Sequence, residues 1–147
     1  MRCALLLGPV HSPTVDRAFL RALADPFDTL VEWSCHEAAE RCGAEGIAAV
    51  LGLLNHSSWQ VRLIACITLI QQKTADQRVV ATLEALMREP EAAEHDAFDE
   101  DLRDFNKDEG LLSSADEAEL HRWGKMASIL DRAREVAGQA GSDGKAK

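Results

Sequence analysis

Two groups of side chains in this 147-residue chain have the types and spacing to do chemistry. The first runs Asp104-x-Asn106-x-Asp108-Glu109-Gly110, continued by Leu112-Ser113 and Asp116-Glu117. Oxygen donors at alternate positions, a glycine for the sharp turn and a closing acid are what a calcium loop requires. Asp104, Asn106, Asp108 and Asp116 or Glu117 are therefore candidate cation ligands. Two departures weaken the pattern: Glu109 intrudes before the glycine, and the closing acid is displaced. The same stretch holds Ser114-x-x-Glu117, a capping box that would open a helix. The second group is Cys35-His36-Glu37-Ala38-Ala39-Glu40. Metal chemistry needs several His and carboxylate ligands converging from different elements. Here one His-Glu pair stands alone, with His95-Asp96 the nearest second candidate; His11, His56 and His121 have no matching neighbours. A lone pair of this kind reads as a solvated helix face. There is no Gly-rich phosphate loop, nucleophile elbow or paired Cys motif. The expectation is a protein that is not an enzyme, with no catalytic residue and no cofactor.

The elements that must carry these groups follow from composition and periodicity. At 46% hydrophobic and 28% charged, the chain is ordinary for one globular domain. Its longest apolar runs, 3–10 and 47–54, are eight residues, well short of the roughly 18 of a membrane span. Aromatics are 5%, with no Tyr, which argues against a sandwich or barrel. The cysteines, 3, 35, 42 and 66, form no close pair. They read as buried reduced thiols, in a cytoplasmic or other reduced intracellular compartment.

Charge is unevenly spread. Residues 1–88 have a net charge of -1, residues 89–119 of -11 and residues 120–147 of +3. The acidic stretch repels phosphate backbones, so nucleic acid is not an expected partner. It would attract a basic segment of another protein.

Helical spacing runs through most of the sequence. Val15, Phe19 and Leu23 fall at i, i+4, i+8; Phe27, Leu30/Val31, Ser34, Ala38 and Cys42 continue a similar stripe; Gly43 stands at a helix-stop position. Ile47, Val50, Leu51 and Leu54 make one face of a further helix. After the polar break Asn55-His56-Ser57-Ser58, which offers capping residues, Val61, Ile64, Ala65, Thr68 and Leu69 form a stripe, and Leu63, Ile67 and Ile70 lie outside it. That helix should be buried on more than one side. Residues 71–76 supply a turn, and Val79, Leu83 and Leu86 close the series. Trp33 and Trp123 have apolar neighbours at helical spacing and read as core; Trp59 reads as a staple at a helix entry. Nothing alternates with period two, so no sheet is expected. Val15-x3-Phe19-x3-Leu23 recurs as Ile47-x3-Leu51-x2-Leu54 and as Val79-x3-Leu83-x2-Leu86. Such a recurrence of paired helices marks an α-solenoid, in which neighbouring pairs stack to bury one continuous core.

The run Gly43-Ala-Glu-Gly46-Ile47-Ala-Ala-Val50-Leu51-Gly-Leu53-Leu54 resembles the second-helix segment of armadillo and HEAT repeats. Its continuation, Asn-His-Ser-Ser-Trp59-Gln-Val61-Arg62-x2-Ala65-x3-Leu69, is similar to the HEAT turn and following helix. The resemblance is best over 43–70 and extends over 14–88. It implies a rigid scaffold that binds another protein, with Arg62 in a stacking role. His56 stands where the family usually has Asp, and no second Val-Arg pair appears. Cys35-His36-Glu37 is also similar to the His-Glu helices of HEAT-repeat deoxyhypusine hydroxylases, which hold iron, and 104–117 resembles an EF-hand loop.

Together these observations predict an all-α fold: a short α-solenoid of HEAT/armadillo-like helix pairs with a C-terminal capping helix. The expected organisation is a helical-repeat region at 1–90, an acidic connector at 91–114, a capping helix at 115–137 and a flexible tail at 138–147. In the capping helix, Leu120, Trp123, Met126/Ala127, Leu130, Ala133 and Val136/Ala137 lie on one side. The expected function is protein–protein binding, with a calcium-binding helical protein and a His-Glu metal-dependent hydroxylase as the alternatives.

Overall fold

Local chemistry sets each helix boundary in turn. The computed structural model describes residues 12–90 and 126–145. Helix α1 spans Pro13–Ala22. Ser12 caps it, its Oγ accepting from the Val15 backbone N–H at 3.2 Å, and Pro13 occupies the first helical position, where its missing N–H costs nothing. Asp25 Oδ1 accepts from the Phe27 N–H at 2.8 Å, an Asx turn that hands the chain to α2, Asp28–Arg41. Gly43, at φ +54, turns directly into α3, Gly43–Gly52, which runs on as the 3₁₀ turn Leu53–Asn55. Helix α4 spans Trp59–Gln71. It ends with the Lys73 N–H donating to Ile70 O and the Thr74 N–H to Leu69 O, with Lys73 at φ 54; this is a Schellman stop. Asp76 then caps α5, Gln77–Leu86, and α6 spans Met126–Lys145. The described residues are all helix, turn and loop, with no strand among them.

The chain divides after Thr74 into two compact units. In the first, α2 packs against α1, α3 and α4. It offers them Val31, Ser34, Cys35, Ala38 and Ala39, all buried. The small residues among these let helices close together. Gly46 of α3 is the tightest point, because a Cβ there would overlap the Ala38 carbonyl of α2. Helix α4 buries Val61, Leu63, Ala65, Cys66, Thr68, Leu69 and Ile70. That set covers more than one side, as its sequence pattern predicts. In the second unit, α5 buries Val79, Leu83 and Leu86, and α6, which packs against it, buries Met126, Ile129, Leu130 and Ala133. Each large apolar side chain so buried contributes about 1.5–3 kcal/mol. Arg134 Nη2 donates to Glu84 Oε1 at 3.0 Å across the pair.

Several expectations need correction. Trp33 is not core: it is 43% exposed. It points away from the stripe Val31, Ser34, Cys35 and Ala38, on the side shared with His36 and Glu40. Phe27, expected to begin a buried stripe, is 55% exposed, because it precedes the first helical turn rather than sitting in it. Ser58 does not cap α4 with its hydroxyl; Oγ instead donates to Gln60 Oε1. Apart from these corrections, the division after Thr74 lies within residues 1–90 and groups α5 with α6. Helix α6 continues through 138–145, the stretch whose composition suggested a tail. No proline interrupts it, so its glycines weaken the hydrogen-bond ladder without blocking it.

Candidate functional site

The residues of α2 that do not face the core combine an indole, an imidazole and carboxylates. At 3.6 residues per turn, Trp33 and Glu40 lie two turns apart on the pole opposite Val31, Cys35 and Ala38, with His36 and Glu37 flanking them. His36 Nε2 and Glu40 Oε2 are 2.9 Å apart, both side chains more than half exposed. Glu37 Oε2 accepts from Arg41 Nε at 2.6 Å.

Arg41 is a node that links two helices. Its side chain is only 5% exposed. Besides Glu37 it reaches Asp16 Oδ1 of α1 at 3.4 Å and lies over the Phe19 ring, 5.2 Å from the centroid. The Glu37 hydrogen bond leads in holding its guanidinium further above the ordinary range, and Asp16 adds to it. Arg41 is thus a fixed positive charge that ties α1 to α2 and does no proton transfer. The Glu37–Arg41 spacing of i, i+4 was the available signal for it in the sequence. Ser34, which its spacing put on the buried stripe, has a fully buried hydroxyl with no hydrogen-bond partner among the described residues.

At the other end of α2, His56 sits between two acceptor–donor relations. Its Nδ1 accepts from the Ser58 N–H at 3.0 Å, so a neutral ring carries its proton on Nε2, which stands 3.8 Å from Asp28 Oδ1. Glu32, one turn beyond Asp28, has its carboxyl pushed up by burial and then by Asp28. Burial, reinforced by Glu32, pushes the Cys35 thiol up to about 12. Burial likewise carries Cys66 to about 12 and raises Cys42, with Asp16 and Glu45 adding to the effect. Cys42 Sγ donates to the Asp16 carbonyl at 3.4 Å. All three are thiols at neutral pH rather than thiolate nucleophiles, and none of them is in a disulfide.

His36 acquires no second His within a ligating group: among the described residues, no three His, Cys, Asp or Glu side chains converge on a common point. His11, His95, Asp96, His121 and Trp123 lie outside the described residues, as do the calcium-loop candidates Asp104, Asn106, Asp108, Asp116 and Glu117. No described helix is long and apolar enough to cross a membrane. Comparison with family models, with curated proteins and with solved structures gives no match to this chain.

Proposed function

We propose that the chain is a non-catalytic scaffold of HEAT- or armadillo-like helix pairs that binds another protein in a reduced intracellular compartment. The observation that supports this most directly is the layering around α2. It packs on α1 and α3, its neighbours in sequence, and also on α4, the helix that follows α3. Contact of one helix with helices beyond its sequence neighbours is how helical repeats bury faces that no single pair can cover. Helix α6 then serves as a cap, spending Met126, Ile129, Leu130 and Ala133 on α5. The large negative charge of 89–119 makes a basic protein segment the favoured partner and nucleic acid a disfavoured one. The three described thiols, kept protonated and largely buried, suit a reducing compartment.

Affinity capture with the full-length chain, followed by calorimetric rebinding of each purified captured protein, tests the reading. A saturable complex of fixed stoichiometry with Kd of about 10 μM or tighter supports it. If none of the captured proteins rebinds, the scaffold reading is lost.

A further inference from the structure

We propose that the outer pole of α2, centred on Trp33, docks an Arg- or Lys-bearing segment of the partner protein; the inference rests on the scaffold reading above and locates its contact.

Trp33 is the largest side chain of α2, and it lies on the pole opposite the buried Val31, Cys35 and Ala38, 43% exposed. That placement leaves much of the indole outside the core, since the opposite pole carries the buried residues. An exposed indole face is the best aromatic acceptor for a cation and a favoured anchor at protein interfaces. The charges around it select what can sit there. Helix α2 carries Asp28, Glu32, Glu37 and Glu40 against a single Arg41. Arg41 presents almost nothing to solvent, being held inward by Glu37, Asp16 and the Phe19 ring. Glu37 is held by Arg41, and Asp28 and Glu32 lie on other sides of the helix, so the open carboxylate on the indole's own pole is Glu40. It is 62% exposed, with Oε2 2.9 Å from His36 Nε2.

A flat indole with an exposed carboxylate two turns away fits a cationic chain that stacks one charge on the ring and pairs another with Glu40. Guanidinium suits both contacts, because it stacks on aromatic faces and pairs with carboxylates in a planar fork. An acidic segment would meet like charge on the same pole. The stretch 89–119 would attract the same basic partner, but without an indole to select it, and the experiment separates the two contributions.

The probe is an eight-residue peptide alternating Arg and Ala, titrated into the full-length chain by calorimetry at low and at physiological salt, with a Glu-Ala peptide as control. Circular dichroism establishes that each variant keeps its helix content. Trp33→Ala should weaken binding about two- to fivefold. Glu40→Gln should weaken it and flatten its salt dependence. A variant with Asp99→Asn, Glu100→Gln, Asp101→Asn and Asp104→Asn should bind more weakly yet remain sensitive to Trp33→Ala. Binding of Trp33→Ala and Glu40→Gln at wild-type strength overturns the inference. If the fourfold neutralisation alone abolishes binding, the contact belongs to 89–119 and the scaffold reading survives. No binding to the wild type at about 1 mM peptide, or equal binding of the Glu-Ala control, also overturns the inference and leaves the scaffold reading to its own capture test.

Discussion

Helices α2 and α4 are nearly equal in length and pack against each other, yet they are built for different surroundings. Helix α4 has one charged residue, Arg62, and seven buried ones spread around its circumference. Helix α2 has five charged residues and His36, with burial confined to one side. One is a pillar; the other is a wall with a solvent face. Their ends differ in the same way. Each is followed by a residue at φ 54, Gly43 after α2 and Lys73 after α4. Glycine adopts that torsion without strain, whereas a side chain with a Cβ pays about 1–2 kcal/mol for it. A helix with an open pole beside a helix buried on several sides is what the contrast teaches, and it can be broken at several points.

The deepest cut is at the pillar. Leu69 is fully buried in α4, and Leu69→Ala should destabilise the chain by about 2–5 kcal/mol in urea unfolding followed by circular dichroism. A loss under about 1 kcal/mol would show that α4 is not the support described. The wall fails next at its seam with α3. Gly46→Ala puts a methyl group onto the Ala38 carbonyl, a backbone atom that cannot swing aside as a side chain could. The expected cost is about 2–3 kcal/mol. An alanine tolerated without loss would mean that α2 and α3 do not close as tightly as Gly46 allows.

Smaller changes sharpen the contrast. Lys73→Gly should stabilise by about 1 kcal/mol, because it removes the left-handed strain while the Schellman hydrogen bonds remain backbone-to-backbone. Its thermal unfolding midpoint should rise. An unchanged or lowered midpoint would show that the gain in unfolded-chain freedom offsets the strain removed. Glu32 tests the wall's charge. Its carboxyl is raised by burial and by Asp28, so the folded state holds that proton more tightly than the unfolded chain does. The associated stability is present below the ordinary glutamate range and is lost as pH rises through the raised value. Glu32→Gln should therefore gain relative to wild type at pH 7, by under about 1 kcal/mol after solvent screening, and the gain should vanish near pH 4. Equal differences at both pH values would remove burial as the cause.

Much of this contrast was legible in the chain. The apolar spacing of 61–70 exceeds one stripe, which is enough to foresee a helix buried on several sides. Gly43 announces its own torsion, since only glycine enters it freely. Lys73 announces nothing, because its torsion is imposed by the backbone hydrogen bonds that end α4. The division after Thr74 was hidden for a related reason. Thr74-Ala75-Asp76 has no linker composition, and the grouping of α5 with α6 depends on Val79, Leu83 and Leu86 meeting residues some forty positions later. Trp33 was misjudged from its apolar neighbours, although counting turns from Val31, Cys35 and Ala38 places it on the far pole.

That pole supplies the smallest effect and the sharpest test of the division of labour. If Trp33 does nothing for the fold, Trp33→Ala should change unfolding free energy by no more than about 0.5 kcal/mol, the usual range for surface substitutions. Leu69→Ala, made in the same background, provides the scale. A loss of about 2 kcal/mol or more at Trp33 would mean that the indole packs after all, and its exposure would no longer argue for a contact made elsewhere. A loss near zero, together with weakened binding of the Arg-Ala peptide, separates stability from recognition on a single helix. The core-facing residues of α2 then hold the wall up, and the opposite pole is left to whatever the wall meets.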